Sequence, residues 1–183
     1  VLGCGASWGV PAIGPDWGRC DPRDPRNRRR RCSLLVETGG RTILIDTAPD
    51  LREQLIDAGI SRLDAVLLTH AHADHLHGLD DLRMISQLAG HAIPFYSSAA
   101  ALKEAEQRFG YAFRPVTPGK PVYRPALEAR SRGSKDRIRR YVAVRFTART
   151  RSQCFGSICE TGVTGPRMAA AWNAIAYSGT FGL

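Results

Sequence analysis

The sequence is short of acid, and empty of histidine, where it is richest in arginine. Of its 17 Asp+Glu only Asp136 and Glu160 fall after Glu128, and no histidine follows His91. The 183 residues carry 26 Lys+Arg, for a formal net charge of +9, but the excess is uneven. Residues 1–128 hold 16 basic and 15 acidic side chains, a net of +1, whereas residues 129–183 hold 10 and 2, a net of +8. A chain that is basic all over, as a whole-surface nucleic-acid binder would be, is therefore excluded; a basic tail is not. No apolar run approaches the ~20 residues that a bilayer-spanning helix needs. The five cysteines, Cys4, Cys20, Cys32, Cys154 and Cys159, are odd in number and show no CxxC spacing. That argues against a secreted disulfide scaffold or a zinc ribbon and leaves the reduced cytoplasm as the expected compartment. The chain opens on Val1 with neither a Met nor a charged and then apolar leader, so a start that has been cut off is expected. Its length bounds it to one domain, or one domain with an appendage.

What is present in residues 1–128 is an alternation of short apolar runs and helical patterns, the signature of a layered α/β fold. Val1 and Leu2 read as a strand running into the glycine-rich turn Gly3-Cys4-Gly5. Ser33 to Glu37 and Thr42 to Asp46 read as strands joined at Gly39-Gly40, a hairpin signal. Asp50 is placed to cap a helix with Leu51, Leu55, Ile56 and Ala58 on one face and Gly59 closing it. Leu63 to Thr69 reads as a buried strand. Asp80 to Ala89 follows as a helix, Ile93 to Tyr96 as a short strand, and Ser98 to Phe109 as a second amphipathic helix. Before the hairpin, a proline-rich stretch ends in Arg28-Arg29-Arg30-Arg31. This run is either a solvated surface or a patch facing an anionic substrate, since guanidinium groups match phosphate oxygens geometrically.

Four of the five histidines lie within eight residues, in Thr69-His70-Ala71-His72-Ala73-Asp74-His75-Leu76-His77. Imidazole and carboxylate are ligands for zinc, manganese or iron, and alternate positions in an extended loop after a buried strand can converge on one point. On a helix they could not, because i and i+2 lie on opposed faces.

These residues carry a resemblance. Leu2-Gly3-Cys4-Gly5, the strand ending in Asp46-Thr47, and the HxHxDH motif followed by Gly78-Leu79-Asp80-Asp81-Leu82-Arg83 are similar to the metallo-β-lactamase fold superfamily. Within it, the Gly9-Val10-Pro11 turn and the Asn27 to Cys32 segment resemble the phosphoribosyl 1,2-cyclic phosphate phosphodiesterase branch. The resemblance implies the α/β class, with a metallo-β-lactamase-like αββα sandwich present as its N-terminal half only. It implies two divalent metal ions, Zn or Mn, with His70 and His72 on the first, Asp74 and His75 on the second, and Asp46 orienting the histidine loop. Asp74 would also be the catalytic residue, and the reaction the hydrolysis of a small cyclic phosphodiester. Arg83 is a candidate substrate contact or else an exposed helix arginine; His77 reads as structural support and His91 as a surface residue.

Superfamily members complete such a site with further histidine and aspartate ligands from the second half of the domain, and this sequence offers none there. The expectation is a half-furnished site of impaired activity. From Ala129 the composition resembles a message read out of frame, with Tyr141 to Phe146 its one strand-like run. The domain is thus expected over residues 1–128 and a basic tail over 129–183. Two other functions remain open: a tRNA-processing type of nuclease from the same superfamily, and a non-catalytic metal-binding or basic protein that meets nucleic acid through the tail. No membrane partner is expected.

Overall fold

The computed structural model describes residues 1–115, 117 and 124–131. The expected strand Tyr141 to Phe146, and the tail beyond Ser131 generally, lie outside the described residues. Among the described residues, the backbone forms a five-stranded sheet in sequential order. β1 (Leu34–Thr38) and β2 (Arg41–Ile45) pair antiparallel, from Leu34 against Ile45 to Thr38 against Arg41. The turn between them uses Gly39 and Gly40 at φ of 54° and 71°. Two successive positive φ values suit the primed turn whose twist matches the strands, and glycine takes them without a Cβ penalty.

β3 (Ala65–Leu67), β4 (Ile93–Ser97) and β5 (Leu127–Ser131) then add in parallel, each after a helical connection. β3 is shorter than the apolar run from Leu63 to Thr69 suggested. Leu63 and Leu68 are buried, but they fill the core from outside the ladder. The expected first strand at Val1 and Leu2 is absent; Gly3 and Ser33 make only an isolated bridge. β5 continues past residue 128, pairing Ala129 with Phe95 and Ser131 with Ser97.

The connections pack on the sheet through α1 (Leu51–Asp57), α2 (Ala73–Leu76), α3 (Leu82–Ala89) and α4 (Ala99–Phe109). Leu51 and Leu55 of α1 are buried as expected, whereas Ile56 and Ala58 are exposed; Gln54 takes the remaining inward position. Asp50 stands at the N-cap position of α1, but its carboxylate caps nothing. It accepts instead from the Arg31 backbone N–H (2.8 Å) and from Arg31 Nε and Nη2 (3.0 and 2.6 Å). Ser98 does cap α4, accepting from Ala101 N at 3.2 Å. Leu44, Val66, Ile93 and Phe95 from the strands meet Leu51, Leu76, Leu82 and Leu102 from the helical side in one core. No helix among the described residues is long and apolar enough to cross a membrane.

Candidate metal centre

The sheet delivers its chemistry at the ends of β2 and β3. Asp46, one residue beyond β2, is 5% exposed and adopts φ 61°, the one positive φ among described non-glycine residues. That left-handed conformation is disfavoured for most L-residues and tolerated by Asp and Asn. It persists because the surroundings hold it. The Asp46 N–H donates to the Leu67 carbonyl (2.8 Å), and its own carbonyl accepts from Ser33 Oγ (2.8 Å). The turn swings the carboxylate under the histidine loop.

There Asp46 accepts from the Thr69 N–H at 2.7 Å, from Thr69 Oγ1 at 2.9 and 2.8 Å, and meets His75 Nδ1 at 2.7 Å. Thr69 Oγ1 also lies 2.9 Å from His70 Nδ1. Proton counting assigns the network. The Thr69 hydroxyl has one hydrogen, given to Asp46, so its lone pair receives Nδ1–H from His70; His75 likewise gives Nδ1–H to Asp46. Both imidazoles therefore keep Nε2 as the free electron pair, the tautomer a cation requires. Asp46 thus orients the loop, and Thr69, to which the sequence reading gave no role, is the relay to His70. The Thr–His adjacency was the available signal.

The loop is fastened from below. Thr47 N donates to the His75 carbonyl (2.8 Å), Thr47 Oγ1 reaches the His75 and Leu76 carbonyls (3.3 and 3.1 Å), and Gly78 N donates to the Thr47 carbonyl (2.9 Å). A Cβ at Gly78 would stand 1.9 Å from the Ala48 carbonyl oxygen, so only glycine permits this approach. Arg108 of α4 donates to the Ala71 carbonyl and pairs with Glu104 at 2.9 Å.

Of the predicted ligands, His70 and His75 stand with ring centres 4.2 Å apart and His70 and His72 4.6 Å apart, while Asp74 Oδ2 lies 3.4 Å from His75 Nε2. The extended loop expected for the motif is only partly present. His72, exposed, is the N-cap of α2, and Asp74 and His75 lie in that helix. Among the described residues, no three His, Cys, Asp or Glu side chains already converge as a metal cage. The donor chemistry nevertheless fits a borderline divalent cation. Burial works against a charge on His75, but the Asp46 hydrogen bond and the charges of Asp46 and Asp74 outweigh it and raise its pKa. His70, by contrast, is lowered by burial and by the neighbouring His75.

The other predicted positions lie elsewhere. Arg83 is exposed in the first turn of α3, with no hydrogen bond or ion pair joining its side chain to the motif. His77 packs edge-on against Phe109 at 5.7 Å, a supporting contact, and His91 is exposed. The arginine run is neither simply solvated nor simply free. Arg28 lies over Trp17, Arg29 reaches Asn27 Oδ1, Arg30 pairs with Asp57 and Arg31 with Asp50.

A family model described as a beta-lactamase superfamily domain matches residues 41–182. A Porphyromonas gingivalis protein named octanoyltransferase is 45% identical over 124 residues, which are 67% of this chain and 25% of that one. A ribonuclease Z of Bradyrhizobium diazoefficiens is 47% identical over 60 residues, 32% of this chain and 20% of its own. The crystal structure of a diphosphatase from the PhnP family superposes with a TM-score of 0.56 at 44% identity, covering 61% of this chain and 45% of that chain. The chain spans a quarter or less of the length of these two curated relatives.

Proposed function

The chain belongs to the beta-lactamase superfamily domain family, and from that premise we propose that it serves metal-dependent hydrolysis of a cyclic phosphodiester such as phosphoribosyl 1,2-cyclic phosphate, yielding a phosphomonoester. The observation that carries the proposal is the Asp46–Thr69–His70 and Asp46–His75 network, which fixes both imidazoles with Nε2 available. The mixed α/β sheet with its helices is the fold expected of the family's N-terminal half. The 44% identity to a diphosphatase of the PhnP family favours phosphorus as the centre attacked.

His70, His72, Asp74 and His75 would hold the cations, with Asp46 behind them. When bound, two divalent ions, Zn or Mn, would supply a Lewis acid for the phosphoryl oxygens and lower the pKa of the attacking water. Asp74 accepts a hydrogen bond from that water and aligns its oxygen with phosphorus. The new P–O bond would form as the ring P–O bond opposite it breaks, and the proton given up by the attacking water would end on the departing alkoxide. The four donors from His70 to His75 furnish one cation more fully than two, so one retained ion and slow turnover are the expected behaviour of the residues present.

Metal content per chain, measured alongside turnover of the cyclic ester in Mn or Zn, tests this. One retained cation and slow hydrolysis, both lost in H75A, are expected; metal content equal to that of H75A overturns the reading. The ribonuclease Z relative favours a second reading, a nuclease acting on precursor tRNA. Cleavage of such RNA without turnover of the cyclic ester selects it.

A further inference from the structure

The segment from Val1 to Gly5 runs beside the residues that lead into β1. Gly3 and Ser33 form a reciprocal bridge, the Gly3 N–H donating to the Ser33 carbonyl at 3.2 Å and the Ser33 N–H to the Gly3 carbonyl at 3.3 Å. Gly5 bridges Arg31 in the parallel sense, its N–H donating to the Arg30 carbonyl at 2.7 Å, so the antiparallel pairing is confined to Gly3 and Ser33. One residue on each segment stands between these two bridges, and both are cysteines, Cys4 and Cys32, with free thiols. Cys4 follows Gly3 and Cys32 precedes Ser33, so they are the facing pair next to that reciprocal antiparallel bridge, where Cα atoms lie about 4.5 Å apart. A disulfide spans roughly 4.4–6.8 Å. Cys32 Sγ is held inward, 3.8 Å from the Gly5 carbonyl, whereas Cys4 is exposed.

We propose that Cys4 and Cys32 are a redox pair that closes to an intramolecular disulfide when a peroxide oxidises the protein, fastening the segment Val1–Gly5 to the chain entering β1. The division of labour follows from exposure. The Cys4 thiolate attacks a peroxide oxygen, giving a sulfenic acid and hydroxide. The Cys32 sulfur then attacks the Cys4 sulfur; the S–O bond breaks, the oxygen leaves with the thiol proton as water, and two electrons have passed from the sulfurs to the peroxide. Burial, followed by the proximity of Cys4, pushes the Cys32 thiol up to about 11, so it stays protonated until an oxidised sulfur stands beside it. The crosslink lands one residue from Ser33, whose hydroxyl holds the Asp46 carbonyl. It therefore ties the oxidation state of the chain to the support of the histidine pocket, whatever reaction that pocket serves.

Peptide mapping tests the pair. Trypsin cuts after Arg19, Arg31 and Arg41, placing Cys4 in peptide 1–19, Cys32 in peptide 32–41, and Cys20 in neither. After brief treatment with hydrogen peroxide and alkylation, the expected product is peptide 1–19 joined to 32–41, two hydrogens lighter than the pair and separated by dithiothreitol. The link disappears in C4S and in C32S and persists in C154S and C159S; circular dichroism matching the parent's confirms that these variants fold. Recovery of both thiols alkylated, of Cys4 as sulfinic or sulfonic acid beside alkylated Cys32, or of either cysteine joined elsewhere overturns the proposal.

Discussion

Replacing Asp46 with Asn isolates what the buried charge does, because Asn tolerates the left-handed φ of 61° and keeps the side chain's shape. In the parent, the carboxylate accepts from the Thr69 N–H, the Thr69 hydroxyl and His75 Nδ1–H, all within 2.9 Å. A hydrogen bond to a charged group contributes ~1.5–3 kcal/mol and a neutral one ~0.5–1.5 kcal/mol, so D46N loses about 1–3 kcal/mol once the shared geometry is allowed for. The amide also has an N–H end. Turned toward His75 it donates to Nδ1, forcing the proton to Nε2 and removing the electron pair a cation would use. Metal affinity is then expected to fall ~10–100-fold. Asp46→Ala serves as the comparison: it leaves all three donors unpaired and adds roughly 1–2 kcal/mol for a Cβ-bearing residue in the left-handed region. Urea unfolding gives the stability differences, and metal titration by calorimetry gives the affinity. Stability of D46N equal to the parent's, with unchanged metal affinity, refutes the network as the organiser of the site; so does D46A no less stable than D46N.

Two further outcomes follow from the same framework. Gly78→Ala forces its Cβ onto the Ala48 carbonyl and strains the bond from Gly78 N to Thr47, so a loss of about 1–3 kcal/mol is expected in denaturant unfolding; a neutral effect would show that the approach can relax. The Arg31 guanidinium holds the Asp50 carboxyl below its ordinary value against the opposing effect of burial. A depressed folded pKa gives stability that is fully present above the unfolded value of ~3.9 and is lost as pH falls through the folded one. D50N should therefore show a shallower loss of stability with acid below about pH 4 than the parent; parallel curves from thermal melts would count against the pairing.

The legible parts of the molecule are those set by neighbours in sequence. The hairpin at Gly39-Gly40, the Ser98 cap of α4 and the cluster of His70, His72, Asp74 and His75 all declare themselves within a few residues. What the sequence hides depends on residues brought together from afar. Asp50 sits where a helix cap belongs, yet its carboxylate is claimed by Arg31, nineteen positions earlier. Leu63 and Leu68 look like strand residues because burial leaves the same apolar imprint inside and outside a ladder. The left-handed turn at Asp46 leaves no local mark at all, since it is imposed by Leu67, Ser33 and Thr69. Arg108 reaches the Ala71 carbonyl from thirty-seven residues away, and no motif announces it.

The bonds joining Thr47 to the carbonyls of His75 and Leu76, and Gly78 back to Thr47, make the histidine loop and the end of β2 one mechanical piece. Such a piece does not open by itself; it exchanges its amide hydrogens only when the sheet does. A cation arriving there meets His70 and His75 in tautomers already set by Thr69 and Asp46, while the side chains around them have still to close on it.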